Sequence, residues 1–164
     1  MKRSSVLHFM CGYIGAGKTT LARQIAEQTP AVLICEDEWL QMIIDGPIRS
    51  VQEYVKYRNK LRKIFEFHIP KLLRLGNSVV FDFGGNRPED RAWVRSVFEA
   101  AEADHLLHHL IVPIDVCKTR LRQRNETKSE GLYWGHVDEN LFDEVSKYFV
   151  PPVPAESFKM TEYK

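Results

Sequence analysis

Cysteine is scarce in this chain and never falls in a metal-binding pattern: Cys11, Cys35 and Cys117 are odd in number, far apart and free of C-x-x-C or His-flanked spacing. That argues against a structural zinc cluster and a disulfide framework, and three reduced thiols fit a cytoplasmic protein. An excess of charge of one sign is lacking too. With 23 basic and 22 acidic side chains, the formal net charge of +1 offers no global attraction for nucleic acid or an anionic membrane, so neither is expected as a partner. No apolar run approaches membrane-spanning length, and "MKRSSVLHFM" carries two basic residues without a long apolar stretch behind them. The expectation is a soluble, cytoplasmic protein, monomeric or homodimeric. Internal repeats and low-complexity tracts are also missing, and 164 residues suit one domain, 1–164, with a proper core.

What is present is concentrated in "HFMCGYIGAGKTTLARQIAE", His8 to Glu27. Gly12, Gly15, Gly17, Lys18 and Thr19 fit the phosphate-binding pattern G-x-x-x-x-G-K-[ST]. Glycines let successive backbone N–H groups turn inward as a nest for a polyphosphate, and the helix beginning near Lys18 adds its N-terminal partial positive charge. Gly12, Gly15, Ala16, Gly17, Lys18, Thr19 and Thr20 are therefore the expected ATP contacts. Lys18 would reach the β- and γ-phosphates, and the Thr19 hydroxyl would ligate Mg²⁺. The bland alternative is a tight strand-to-helix turn without a ligand. Against it, the fixed positions arise by chance in roughly one chain of this length in a few hundred, and a bare turn needs neither the lysine nor the threonine.

Apolar runs at Val6–Cys11, Ala31–Cys35, Ser78–Phe83 and His105–Val112, each separated from the next by a helical segment, predict a parallel sheet covered on both faces. A last short strand is expected near Phe158–Met160. Between the second and third strands, an insertion over about 45–75 reads as two helical pieces broken near Pro70. Its Lys56, Arg58, Lys60, Arg62 and Lys63 read as a solvated helix surface whose apolar side is Val55, Leu61, Ile64 and Phe65, with a phosphate or nucleic-acid face as the alternative.

Ligands in such sheets sit beyond the carboxyl ends of the strands, where "CEDEW" and "FDFGGN" stand. Phosphoryl transfer to a hydroxyl needs a carboxylate as base and one near Mg²⁺ or its waters. Asp37 and Asp82 suit these jobs, and Asp82 also lies near the expected acceptor. Asp37 could instead cap its helix, and Glu36 and Glu38 compete for the basic role. For Asp82 the alternative is a strand-end turn residue. Gly84 and Gly85 would let the backbone pass close to a substrate, with Asn86 and Trp39 as further acceptor contacts. In "CKTRLRQRN", Arg120 and Arg124 share a helix face and Arg122 points away, which suits a lid over about 125–137 that closes on the transferring phosphoryl; a basic surface helix is the alternative. Tyr133 and Trp134 would shield the site or simply pack that segment down.

On "GYIGAGKTT", "VLICEDEWL", "VVFDFGGN" and "CKTRLRQRN", from Val6 to about Asn125, the chain resembles the small P-loop kinases that include zeta toxins, chloramphenicol phosphotransferase and the kinase domain of polynucleotide kinase, commonly labelled AAA-type ATP-binding proteins. The resemblance implies Asp37 as base, Asp82 near Mg²⁺ or substrate, and Arg120 and Arg124 as lid residues. Two departures stand out. Leu40 replaces the arginine that polynucleotide-kinase-like members place three residues after the aspartate, and "DFGGN" is one residue longer than their aspartate-x-Thr-Asn. Both Leu40 and Trp39 make a less cationic pocket and argue against a nucleic-acid 5′-hydroxyl. The expectation is an α/β P-loop NTPase fold, with a parallel sheet of about five strands, helices on both faces and a lid. Its function would be ATP- and Mg²⁺-dependent phosphoryl transfer to a hydroxyl of a small molecule, such as an antibiotic or sugar. The alternatives are a polynucleotide or nucleotide-sugar kinase, or an ATP-hydrolysing switch.

Overall fold

The computed structural model describes residues 5–46, 50–127 and 137–164. Five strands, β1 (Val6–Cys11), β2 (Ala31–Ile34), β3 (Ser78–Gly84), β4 (Asp104–Leu110) and β5 (Met160–Tyr163), form one parallel sheet in the order β2-β3-β1-β4-β5. The strand that precedes the glycine loop is thus central, and a centre buried on both sides explains its unbroken apolar run. Successive side chains go to opposite faces. Leu7, Phe9, Cys11, Val79, Phe81 and Leu107 enter one core; Met10, Val80 and Leu110 enter the other.

Helices α2 (Glu36–Ile43), α3 (Val51–Arg74) and α4 (Pro88–Ala100) close the first core with Leu40, Leu61, Phe65, Ile69, Leu73, Val94, Val97 and Phe98. The second core is closed by α1 (Lys18–Gln28), α5 (Ile114–Glu126) and α6 (Glu139–Ser146), through Ala22, Cys117, Leu121 and Phe142. Two of these helices begin where the chain supplies a cap: Ser50 Oγ accepts from Glu53 N at 3.1 Å, and Asp138 Oδ1 from Leu141 N at 2.8 Å. Among the described residues, no helix is long and apolar enough to cross a membrane.

Three sequence-based expectations are corrected. The insertion contains one continuous helix, α3, with Pro70 inside it. A proline there forfeits one backbone bond and costs ~3 kcal/mol. Leu61, Phe65, Ile69 and Leu73 recur every four residues and are all buried, at roughly 1.5–3 kcal/mol each, so packing on both sides of Pro70 outweighs the break. The helix ends at Arg74, and Gly76 N and Asn77 N turn back to Leu73 O and Leu72 O. The apolar side is also rotated from the expected one: Ile64 is 54% exposed, and Arg62 is not solvated but held between acidic side chains. Finally, the last strand begins at Met160, because Phe158 is used as a packing residue against the Phe9 ring, 5.5 Å away.

Candidate active site

The loop between β1 and α1 needs its glycines for a backbone reason. Gly15 has φ 79°, and a Cβ there would lie 2.7 Å from Cys117 O. Helix α1 starts at Gly17 with no side-chain cap and no acidic residue in its first turn, so its positive end is left uncompensated. Lys18 folds over the loop, donating from Nζ to Gly12 O and Tyr13 O at 2.7 Å each, and burial lowers the pKa of its amine. Ala16 buries its methyl in the second core, which leaves only its backbone to face a phosphate, and Thr20 is exposed in the first turn of α1.

Thr19 and Asp82 meet here although 63 residues apart. Thr19 Oγ1 donates to Asp82 Oδ2 at 3.2 Å; Cys35 Sγ donates to the same oxygen at 2.8 Å, and Glu36 N approaches Oδ1 at 3.4 Å. Asp82 is buried, and desolvation, opposed by these donors and by the charge of Lys18, holds its carboxyl above the usual range. A hydroxyl beside one carboxylate, in front of a phosphate nest, is a donor set suited to Mg²⁺. That ion keeps several waters and takes few protein ligands beside the phosphates.

The three acids at the start of α2 separate cleanly. Glu36 is buried and accepts from Arg62 Nε at 3.0 Å. Glu38 is on the surface and accepts from Arg23 Nη2 at 2.7 Å. Asp37 makes no hydrogen bond or ion pair among the described residues. Burial, reinforced by Asp82 and Glu36, pushes its carboxyl up to about 7, against the opposing charges of Lys18 and Arg124. The helix cap is Cys35 and Asp37 is the second helical residue, so the capping alternative falls.

Arg120 lies across the loop, donating from Nη1 to Ala16 O at 3.3 Å and weakly to Gly15 O at 3.5 Å. Arg124 is one turn further along α5. Its Nε and Nη2 are buried without a hydrogen-bond partner among the described residues, and Asp37 is the charge that opposes its desolvation. Arg122 points away and pairs with Glu139 at 2.7 Å. Most of the expected lid, including Gly131, Tyr133, Trp134 and Gly135, lies outside the described residues.

Trp39 stands at the rim, 37% exposed, with its ring edge-on to Phe65 at 5.3 Å. Two residues expected on the substrate side have partners within the fold. Asn86 is a brace for the nucleotide loop: its Oδ1 accepts from Gly12 N at 2.9 Å, and its backbone oxygen accepts from Val150 N at 2.9 Å. Gly85 is small to let strands meet, because a Cβ there would lie 2.5 Å from Met10 O, to which its own N–H donates at 2.9 Å. Sequence reasoning missed Arg91, which is 1% exposed. It fastens this corner by donating to Gly85 O at 2.7 Å and Val150 O at 2.8 Å while pairing with Glu156 at 2.9 Å. It missed Cys35 as well, although a residue at a strand's carboxyl end was the right place to look.

A parallel sheet with the glycine loop after its central strand, an uncapped helix start behind the loop and a Thr–Asp pair before it define a P-loop NTPase fold. A family model for the AAA domain matches residues 7–152, and the chain belongs to that family. A candidate kinase from Chloroflexus aurantiacus J-10-fl superposes with a TM-score of 0.75 at 18% identity, covering 99% of this chain and 86% of that one. A sugar kinase from Janibacter sp. HTCC2649 gives 0.60 at 17% identity over 98% and 84%. Kti12 from Chaetomium thermophilum, solved with ADP-AlF3, gives 0.64 at 15% identity over 96% and 89%. At these identities the likeness is one of fold. No curated protein matches the sequence.

Proposed function

We propose that the protein transfers the γ-phosphoryl group of ATP to a hydroxyl of a small molecule, with Mg²⁺ held at Thr19 and Asp82. The observation that carries the reading is Asp37: an acid with no hydrogen bond or ion pair among the described residues, raised to about 7 within reach of the charges of Lys18 and Arg124, while Glu36 and Glu38 are ion-paired. A base works best when its pKa is near the working pH. An acceptor hydroxyl between Asp37 and the γ-phosphate would give its proton to the carboxylate as its oxygen bonds to phosphorus and ADP leaves. Lys18 and the first turn of α1 hold the phosphates. Arg124, whose buried nitrogens have no described acceptor, would meet the charge of the transferring group, and Arg120 would steady the loop. Bound Mg²⁺ would supply charge neutralisation across the β- and γ-phosphates.

The test is incubation with MgATP and a panel of small alcohols, sugars and antibiotics, followed by ADP release and mass analysis of each acceptor. At least one acceptor is expected to gain a phosphoryl group and raise ADP release well above the water background. ADP release that no acceptor stimulates would leave the hydrolysing switch in its place.

A further inference from the structure

Two arginines one helical turn apart on α3 are treated differently. Arg62 is paired twice: Nε donates to Glu36 at 3.0 Å, Nη1 to Asp90 at 2.6 Å, and its guanidinium covers the Trp93 ring, 4.8 Å from the centroid. Arg58, four residues earlier and so on the same side of the helix, has no hydrogen bond or ion pair among the described residues, although its Nε is buried. Its guanidinium lies 5.8 Å from the centre of the Tyr54 ring. The acid it could have used, Glu36, already belongs to Arg62. A buried N–H without an acceptor is rare and destabilising, and bulk water does not reach this atom.

Tyr54 ties this guanidinium to the reacting end of the site. Burial, then the charges of Glu36 and Asp37, raise its hydroxyl, and Arg58 and Arg62 oppose them, so all these groups share one neighbourhood at the start of α2. A second open guanidinium, Arg124, approaches Asp37 from α5, on the opposite face of the sheet from α3. Arg124 thus acts on Asp37 itself and Arg58 on Glu36 and Tyr54 next to it, and each guanidinium keeps a buried N–H without an acceptor among the described residues. One is accounted for by the transferring phosphoryl, and the other is not.

Resting on the kinase reading above, we propose that the acceptor carries an anionic group of its own, a phosphate ester or a carboxylate, held by Arg58 beside the Tyr54 ring. The planar guanidinium fork matches either group through paired N–H donors. Anchoring that end of the molecule leaves its hydroxyl to reach back to Asp37, which fixes the orientation for attack. Neutral alcohols would leave Arg58 unsatisfied and bind weakly.

Calorimetric titrations with inorganic phosphate, malonate and glycerol, each with Mg²⁺ and saturating non-hydrolysable ATP analogue present, test this directly. Phosphate or malonate is expected to bind and glycerol not, the better anion identifying which group the acceptor bears. Arg58→Gln is expected to raise that Kd at least tenfold, and Arg58→Lys, which keeps the charge, by less. Thermal melts report folding, and if Arg58→Gln does not fold, any weakening in Arg58→Lys carries the test. Equal anion affinity in wild type and variants, or no anion binding, would overturn the proposal. The Arg58-dependent difference is read with and without nucleotide, so a wild type that fails to bind the ATP analogue overturns the kinase reading separately.

Discussion

Helices α1 and α2 both begin at carboxyl ends of the sheet, and their first turns are opposite in character. The start of α1 has no acidic residue and no side-chain cap, and its one charged group there is the Lys18 amine. The start of α2 carries Glu36, Asp37 and Glu38 in succession. A helix N-terminus favours negative charge in either case. In α1 that preference is left for a ligand, as in other anion sites of this kind; in α2 it is met by the chain itself. Of those three acids, one is tied to the core and one to the surface, so the remaining one sits in the favourable field of a helix end and yet titrates high. Burial and the nearby Asp82 and Glu36 outweigh the helix end and the two cations. On the proposed reading, one helix start would receive charge and the other a proton.

The sharpest way to break that contrast is Asp37→Asn. Phosphoryl transfer to a confirmed acceptor should fall ~10²–10⁴-fold with nucleotide affinity retained. In the wild type, kcat/KM should rise about tenfold per pH unit and level near pH 7, and the variant should lose that limb. Stability gives the same titration with the opposite sense. The folded protein holds a proton on Asp37 that the unfolded chain releases from pH 3.8 upward, so stability should fall as pH rises from there to about 7 and then level. Urea titrations across that range should show the slope in the wild type and a shallower one in Asp37→Asn.

Next in size is Lys18→Ala, which strips the receiving end of its cation. Nucleotide affinity or turnover should drop ~10²–10³-fold, read with a fluorescent ATP analogue, while the melting temperature is kept, because the amine is desolvated in the free protein. Unchanged affinity would remove the phosphate role from α1. The two paired acids should then differ from Asp37 in kind. Glu36→Ala strands the buried Arg62 and should cost about 3 kcal/mol in urea unfolding. Glu38→Gln, at the exposed bridge to Arg23, should change stability by ~0–1 kcal/mol and turnover hardly at all. A kinetic loss from Glu38→Gln as large as that from Asp37→Asn would dissolve the distinction drawn among the three.

The glycine loop and its flanks were the most legible part of the chain. Val6–Cys11 and the helix start at Lys18 stand where the apolar run and the motif put them, because both are local patterns. Parallel pairing and the two-faced core followed from strand-helix alternation. The course of α3 through Pro70 did not, because the break is local and the packing that overrides it is not. Among the five basic residues from Lys56 to Lys63, Arg58 and Arg62 differ in which carboxylates the fold brings near them, and helix periodicity carries no such information. Asn86 was recognised as important from its place after β3. Its partner turned out to be Gly12, 74 residues away, and only the close approach of β1 and β3 makes that visible.

The brace around Gly12 also has a consequence in time. Synthesis delivers the loop first; Asn86 and Arg91 come about 70 residues later, and the Val150 and Glu156 groups that complete their bonding later still. A nascent chain that has emerged only to the end of α5 therefore displays the whole nucleotide motif on an unfinished mount. On the proposed reading, the loop would grip phosphate firmly only after the stretch through Glu156 has been made and has docked.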